Sequence, residues 1–199
     1  MPRRYELRQR AARQEETRQR IIEATVGLHE AVGGAGATIS AIAQEARVSR
    51  ATVLRHFPDE RALLTACTTH YATGNPPPNP ATWGAIADPP GRLKTALRVI
   101  YAYHRRTEPM SDRAERDVRE MPVLRELLEP ARAYWDGVRA GLAAGWSVPA
   151  RRRALVEAAV GHAIAFGTWQ SLVRGQGLDD AQAIEVMVAM VKGVANGTS

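Results

Sequence analysis

The chain has 199 residues, 45% of them hydrophobic, which is enough for one large or two modest domains and excludes a disordered or fibrous protein. Its formal net charge of +6 and its pI of about 10.1 favour acidic partners such as nucleic acid. Cys67 is the single cysteine, so an internal disulfide and most zinc sites are excluded. No apolar run approaches the ~18–20 residues of a membrane span, and the first residues lack the pattern of a signal peptide, so we expect a cytoplasmic protein.

The spacing of apolar residues is helical along the whole chain, and no segment alternates as a strand would, which predicts an all-α fold. An apolar stripe from Ile21 to Val32 predicts a first helix over residues 14–32. Residues 1–20 hold seven Arg against three Glu. The basic arm of residues 3–13 is consistent with contacts to the minor groove or backbone of DNA, and equally with a solvated extension of the first helix.

Two short helices joined by a tight turn are predicted next. Thr38 is placed to cap the first of them, and Ser49 is placed to cap the second, which Pro58 terminates. Asp59 can then cap a fourth helix. This order of elements predicts a helix-turn-helix. The major groove of DNA is wide enough to admit its second helix.

The second of these short helices has an inward side and an outward side. Val53 and Phe57 are the apolar anchors, which leaves Arg50, Thr52 and Arg55 facing outward. Arginine binds guanine edges bidentately or holds phosphates, and a threonine hydroxyl donates to a phosphate oxygen. The free N–H groups at a helix start also bind phosphate oxygens. The outward side is therefore a predicted DNA-reading surface.

A stretch dense in proline and glycine, residues 73–91, predicts a linker or an irregular excursion. It separates a predicted DNA-binding domain of residues 1–72 from a C-terminal domain of residues 92–199. Within the C-terminal domain, Pro130 interrupts a helical pattern and predicts a kink or a helix boundary.

The last two predicted helices cover residues 150–174 and 179–196. The second is apolar nearly all round, so it must bury two sides. We predict a homodimer in which this pair of helices from each subunit forms a four-helix bundle. A last helix wrapped within a monomer remains the alternative.

Aromatic and polar side chains on the C-terminal helices are candidates for lining a pocket that takes a small, largely hydrophobic effector. Each of them fits an ordinary core or dimer-interface position equally well. The five histidines lack metal-ligand spacing, no cofactor is indicated, and no nucleophile with a matching base can be assembled, so we expect no enzyme. The candidate lining residues are Tyr101, His104, Trp135, His162, Phe166 and Trp169.

Residues 17–66, from "TRQRIIEATVGLHEAVG" through "ATISAIAQEARVSRATVLRHFPDERALLTA", resemble the TetR family of transcriptional repressors. The resemblance implies an all-α homodimer with an N-terminal DNA-binding domain and a larger domain that dimerises and encloses a ligand pocket. It further implies a ligand-responsive repressor that binds a palindromic operator. A constitutive regulator without an effector and an all-α enzyme stay as alternatives. The positions in register are Gly33, Thr38, Ile42, Ala43, Val48, Ser49, Thr52, His56, Phe57 and Leu63.

Four positions depart from the family pattern, and one of them is His29, where the family usually has an aromatic residue. The family's turn glycine is Arg47 here, and a left-handed residue at that point costs a non-glycine side chain about 1 kcal/mol, which favours a different turn. The family's tyrosine in the recognition helix is Leu54, and its lysine opening the fourth helix is Glu60, for which either Arg61 or Arg47 can compensate. The predicted DNA contacts are Thr38, Ser49, Arg50, Ala51, Thr52, Arg55, His56 and Arg61.

Overall fold

Every regular element that the structure describes is helical, which confirms the all-α prediction. The computed structural model describes residues 2–34 and 36–197. The elements are α1 (Pro2–Val32), α2 (Ile39–Glu45), α3 (Arg50–His56), α4 (Glu60–Gly74), α5 (Ala81–Gly84), α6 (Pro89–Asp117), α7 (Pro122–Leu127), α8 (Glu129–Ala143), α9 (Ala150–Ile164), α10 (Phe166–Gln170), a π-helical turn (Ser171–Gly175) and α11 (Asp180–Asn196). None of the described helices is long and apolar enough to cross a membrane.

The chain folds into two compact units. The first unit is formed by the residues up to Pro76 together with Pro109–Leu128, and the second by Pro77–Glu108 together with the residues from Glu129 onward. The boundaries of these units differ from the single division expected at residues 73–91, because residues 109–128 belong to the same unit as the N-terminal residues. The division into a DNA-binding and an effector-binding domain remains a functional prediction.

Hydrogen bonds between α6 side chains and the backbone hold the end of α6 within the first unit. The Arg113 guanidinium donates to the Ala31 carbonyl at 3.1 Å, and the Asp117 carboxylate accepts a hydrogen bond from the Gly34 N–H at 2.6 Å. Gly33 is left-handed, with φ +80°, and a Cβ there would lie 3.1 Å from Asp117 Oδ2. A glycine is therefore needed where α1 ends, for the backbone conformation and for this close approach.

The core of the first unit joins α1 to the next three helices. The helix α1 starts at Pro2, twelve residues before the predicted start, because the arginine-rich arm consists mostly of strong helix formers and contains no breaker after Pro2. The buried apolar side chains of this core are Ile21, Ile22, Ala24, Ile42, Ala43, Ala46, Val53, Phe57 and Leu63.

The proline-rich stretch contributes to the core of the second unit. Trp83, on the short helix α5, is only 3% exposed and packs among residues of α6, α8, α9 and α11. Pro78 is also buried, and its carbonyl accepts a hydrogen bond from the Tyr134 hydroxyl. Residues 77–91 are therefore an irregular excursion anchored by an aromatic side chain, which is one of the two predicted alternatives.

The later helices differ from their predicted bounds at one place. A helix boundary does fall at Leu128, just before Pro130, and the last helix runs over Asp180–Asn196 as expected. The single helix predicted over 150–174 is wrong, because Ala165 takes an extended conformation, with ψ 141°, between α9 and α10. The π-helical turn follows α10 directly.

Candidate nucleic-acid interface

The helix α2 is fixed by the cap that the sequence predicts. The Thr38 hydroxyl accepts a hydrogen bond from the Ala41 N–H at 3.2 Å, which satisfies one of the unpaired donors at the start of α2. The helix then buries Ile42 and Ala43 against α1. The exposed threonine thus marks the start of a helix that is held firmly in the core.

The turn between α2 and α3 keeps a left-handed residue in spite of its arginine. Arg47 has φ +54° and is the only non-glycine residue of the described chain with a positive φ. Its N–H donates to the Gln44 carbonyl at 3.1 Å, and the Val48 N–H donates to the Ala43 carbonyl at 2.9 Å. These two bonds define a Schellman motif with Arg47 in the position that glycine usually takes. The expectation of a different turn geometry is therefore wrong.

The helix α3 is held at both ends. The Ser49 hydroxyl accepts from the Thr52 N–H at 3.1 Å and lies 2.9 Å from the Thr52 hydroxyl. Val53 is fully buried and Phe57 is 3% exposed, so both predicted anchors point into the core. The Arg18 guanidinium lies 5.2 Å from the centre of the Phe57 ring, which fastens α1 to the end of α3 by a cation–π contact.

The predicted DNA contacts lie mostly on the outer side of α3. Arg50, Ala51 and Arg55 are exposed, and Thr52 and His56 are half-buried. Within the part of the chain that the structure describes, neither arginine of α3 forms an ion pair with a carboxylate. Both guanidinium groups are therefore available to an anionic partner.

The exposed arginine of α4 forms an ion pair, unlike the two arginines of α3. Asp59 caps it, as predicted, by accepting from the Ala62 N–H at 2.7 Å. Arg61 is exposed, but its guanidinium is paired with the Glu126 carboxylate of α7 at 2.5 Å. Leu54 is 48% exposed at the position where the family pattern has tyrosine, and Glu60 is exposed beside Arg61. A contact from Arg61 to DNA would have to compete with the ion pair to Glu126.

A cleft that sequence reasoning missed lies between α1 and α3. It has a volume of about 440 Å³, and its walls are the early turns of α1 and the last residues of α3, Arg55 and His56. Its α1 wall includes Gln9, Arg10 and Arg13. The seven arginines of residues 1–20 were the available signal, but only the helical conformation of the arm shows which of them face α3.

The second unit brings five of the six candidate pocket residues together. The imidazole of His104 lies at the centre of an aromatic cluster, with ring centroids 5.6 Å from Phe166, 5.8 Å from Trp135, 6.1 Å from Trp169 and 6.2 Å from Tyr101. Tyr101 and Trp169 are completely buried. The cluster is therefore a tightly packed part of the core.

The polar groups of this cluster satisfy the end of α9. The Tyr101 hydroxyl donates to the Ala163 carbonyl at 3.0 Å, and His104 Nε2 donates to the Ile164 carbonyl at 2.9 Å. These bonds replace the helical partners that the two carbonyls lose at Ala165. Burial lowers the pKa of His104 to about 4, so the imidazole is neutral at pH 7.

His162, the sixth candidate, lies outside the cluster. It is exposed, and its Nδ1 lies 3.2 Å from the Thr168 hydroxyl.

The carboxylate of Asp180 accepts two hydrogen bonds. The indole N–H of Trp169 donates to Asp180 Oδ1 at 3.0 Å, and the Arg105 guanidinium donates to the same carboxylate at 2.7 Å. These two donors, Arg105 foremost, lower the pKa of the Asp180 carboxyl. The described residues contain no group of three side chains that could hold a metal ion.

Comparison with known proteins supports this architecture. Residues 21–67 match the family model of the bacterial regulatory proteins of the tetR family. A TetR-like transcriptional regulator from Rhodococcus sp. RHA1 superposes with a TM-score of 0.65 and 16% identity, over 92% of this chain and 97% of its own. The HlyIIR mutant protein gives a TM-score of 0.58 and 18% identity, over 88% and 94% of the two chains. The multidrug binding protein EbrR, complexed with imidazole, gives 0.55 and 24%, over 87% and 89%. No curated protein matches the chain in sequence.

The helix-turn-helix formed by α2 and α3 lies within the residues that the family model matches. The likeness to the solved structures shows the fold, and the family model matches the residues that build the helix-turn-helix. Over residues 21–67 the chain is similar to the bacterial regulatory proteins of the tetR family.

Proposed function

We propose that the protein is a ligand-responsive repressor that binds a palindromic operator as a homodimer and releases it when a small, largely hydrophobic effector binds. The observation that carries the proposal is the outer side of α3. Arg50 and Arg55 are exposed on a helix whose start is capped by Ser49 and whose other side is anchored by Val53 and Phe57. A rigid helix with free guanidinium groups suits the major groove.

The contacts divide into positioning and reading. Two of the proposed phosphate contacts, Thr38 and Ser49, lie at the starts of α2 and α3. The other two, Thr52 and His56, are half-buried on α3 and can also bind phosphate oxygens. Arg50 and Arg55 are the groups proposed to reach guanine edges, which discriminates by roughly 1–3 kcal/mol per bidentate pair. Ala51 offers an apolar contact to a thymine methyl group, and Arg61 contributes only if it exchanges Glu126 for a phosphate.

The homodimer is proposed to form through α9 and α11, which pack against each other. Three large apolar side chains on these helices are exposed in the single chain: Leu155 by 56%, Val186 by 39% and Met190 by 51%. Their burial against a second copy would form the four-helix bundle. Leu155→Glu and Met190→Glu are expected to convert the dimer to a monomer in sedimentation velocity experiments. The exposed Arg153→Glu serves as a charge control, because Arg153 lies on the opposite face of α9 from Leu155.

The effector is proposed to enter at the aromatic cluster around His104. Four aromatic side chains and a neutral imidazole favour an apolar or weakly polar molecule over an ion. EbrR is a multidrug binding protein and gives a precedent for small-molecule binding in this fold. Because Tyr101 and Trp169 are completely buried, entry of a ligand requires the cluster to rearrange. That rearrangement is the proposed link to operator release.

The test starts with selection from a random duplex-DNA pool at fixed, near-physiological salt. Enrichment of a dyad-symmetric site is expected, and Arg50→Ala and Arg55→Ala should each relax the preference at particular half-site bases. The selected operator then serves to screen apolar compounds for release. A sequence-independent bound pool would contradict operator reading, and operator binding that no compound changes would contradict the ligand response.

The full burial of Tyr101 and Trp169 also favours a second candidate, a constitutive regulator with a filled C-terminal unit. The two are separated by the Trp169→Ala variant. In a ligand-responsive protein the variant should alter the concentration of effector required for release. In a constitutive regulator it should lower stability only.

A further inference from the structure

We infer that the first turns of α1 and the end of α3 form a phosphate-binding cleft, which holds the DNA backbone beside the bases that α3 reads. The inference rests on the proposed DNA binding and assigns it an additional site. The occupant is the sugar-phosphate backbone of the operator duplex. The α1 residues that line the cleft precede residue 21, so they lie outside the stretch 21–67 that the family model matches.

The arm of α1 is helical and exposed to solvent. Residues 5–16 are all exposed, although they continue a helix that becomes buried at Ile21. At 1.5 Å per residue this exposed part is about 18 Å long. A helix whose side chains are all exposed gains little stability from burial, so we expect a partner outside the chain to support it.

One face of the arm points at α3. The α1 residues that line the cleft recur every three to four residues, singly or as adjacent pairs, so they lie on one helical face. They include Gln9, Arg10, Arg13 and Gln14, and Arg55 and His56 complete the cleft from α3. The contact between Arg18 and Phe57 links the two helices next to the lining residues Thr17 and His56.

The charge of the cleft selects an anion. Arg10, Arg13 and Arg55 line the same space, and among the described residues none of them forms an ion pair with a carboxylate. Their mutual repulsion is relieved by a phosphate group, to which each guanidinium can donate two hydrogen bonds. Glu6, at the outer end, is the only carboxylate among the lining residues, and it opposes a phosphate there.

The cleft differs from a flexible basic arm in which side it uses. Arg8 lies in the same turn as Arg10 but on the opposite face of α1, and it does not line the cleft. Removing either arginine changes the charge equally. Only the loss of Arg10 or Arg13 should remove a phosphate contact.

The experiment measures affinity for the selected operator at a series of salt concentrations. Each phosphate contact contributes about 0.9 to the slope of log K against log salt. With two subunits, Arg10→Ala and Arg13→Ala should each reduce the slope by about 2, and Arg8→Ala should leave it nearly unchanged. An equal effect of Arg8→Ala and Arg10→Ala would overturn the cleft and leave only a diffuse basic arm.

A second variant tests the helical conformation. Ala12→Pro keeps every charge but removes the N–H that bonds to the Arg8 carbonyl. It should reduce the slope as far as Arg10→Ala does. A slope as steep as that of the unchanged protein would show that the arm binds without being a helix, and would overturn the proposal.

Ethylation interference locates the contact on the DNA. In Arg10→Ala, ethylation of the phosphates that this arginine contacts should no longer reduce binding. These phosphates should belong to other nucleotides than the bases whose selection Arg50→Ala relaxes. If the chain selects no operator, the proposed operator reading fails, and the same salt series on a generic duplex still tests the cleft. Equal slopes for all variants there would refute it.

Discussion

The Schellman turn at Arg47 leads to a quantitative prediction, that Arg47→Gly stabilises the protein. The left-handed conformation, φ +54°, places the Cβ of a non-glycine residue too close to its own backbone, at a cost of about 1–2 kcal/mol. Glycine removes that strain but loses more backbone entropy on folding, by roughly 0.5–1 kcal/mol. The expected net gain is about 0.75 kcal/mol, within a range of roughly 0–1.5 kcal/mol. The two hydrogen bonds of the turn are unaffected, because they involve only backbone atoms.

The matched control is Arg47→Ala, which removes the same charge and the same exposed side chain but keeps the Cβ. Urea unfolding followed by circular dichroism compares the free energies of unfolding of the three proteins. A gain of 1 kcal/mol corresponds to a rise in Tm of about 2–4 °C for a chain of this size. The reasoning is refuted if Arg47→Ala is as stable as Arg47→Gly, since the Cβ would then carry no strain.

Three further predictions concern hydrogen bonds and titration. Ser49→Ala removes the cap that bonds the Thr52 N–H, so urea unfolding should show a loss of about 1 kcal/mol, whereas Ser49→Asp should retain most of the stability. Tyr101→Phe leaves the buried Ala163 carbonyl without its donor and should lower the free energy of unfolding by about 1–3 kcal/mol; an unchanged value would mean that the carbonyl finds another donor. His104 has a folded pKa of about 4, below its unfolded value, so its neutral form favours folding above about pH 6.5 and this contribution is lost as the pH falls toward 4. The unfolding free energy of His104→Gln should therefore fall less steeply over that range than that of the unchanged chain.

The parts of the fold that sequence predicted correctly depend on neighbouring residues. Thr38, Ser49 and Asp59 each cap a helix through a hydrogen bond to the N–H three residues later. Such bonds are set by the local chain, so the residue type and its place before an apolar run are enough to predict them. The helix-turn-helix follows from these caps together with the buried Val53 and Phe57.

The parts that sequence did not predict depend on distant residues or on weak local preference. Arg113 reaches the carbonyl of Ala31, 82 residues away, and no local pattern indicates that pairing. The helix α9 ends just before Ala165, although alanine is the strongest helix former. Tyr101 and His104 donate hydrogen bonds to the last two carbonyls of α9, which compensates for the helical hydrogen bonds lost there. The cleft depends on which side of α1 faces α3, and the apolar stripe that begins at Ile21 carries no information about the arm before it.

The placement of Pro109–Leu128 in the first unit has a consequence for protein engineering. A chimaera that transplants only residues 1–72 onto another regulator would lose Asp117 from the Gly34 N–H, Arg113 from the Ala31 carbonyl and Glu126 from Arg61. The transplanted helices would then meet foreign side chains at the point where two glycines permit close approach. The first compact unit is therefore discontinuous in the gene, and a graft that keeps its contacts should carry the codons for residues 109–128 along with those for the first 76 residues.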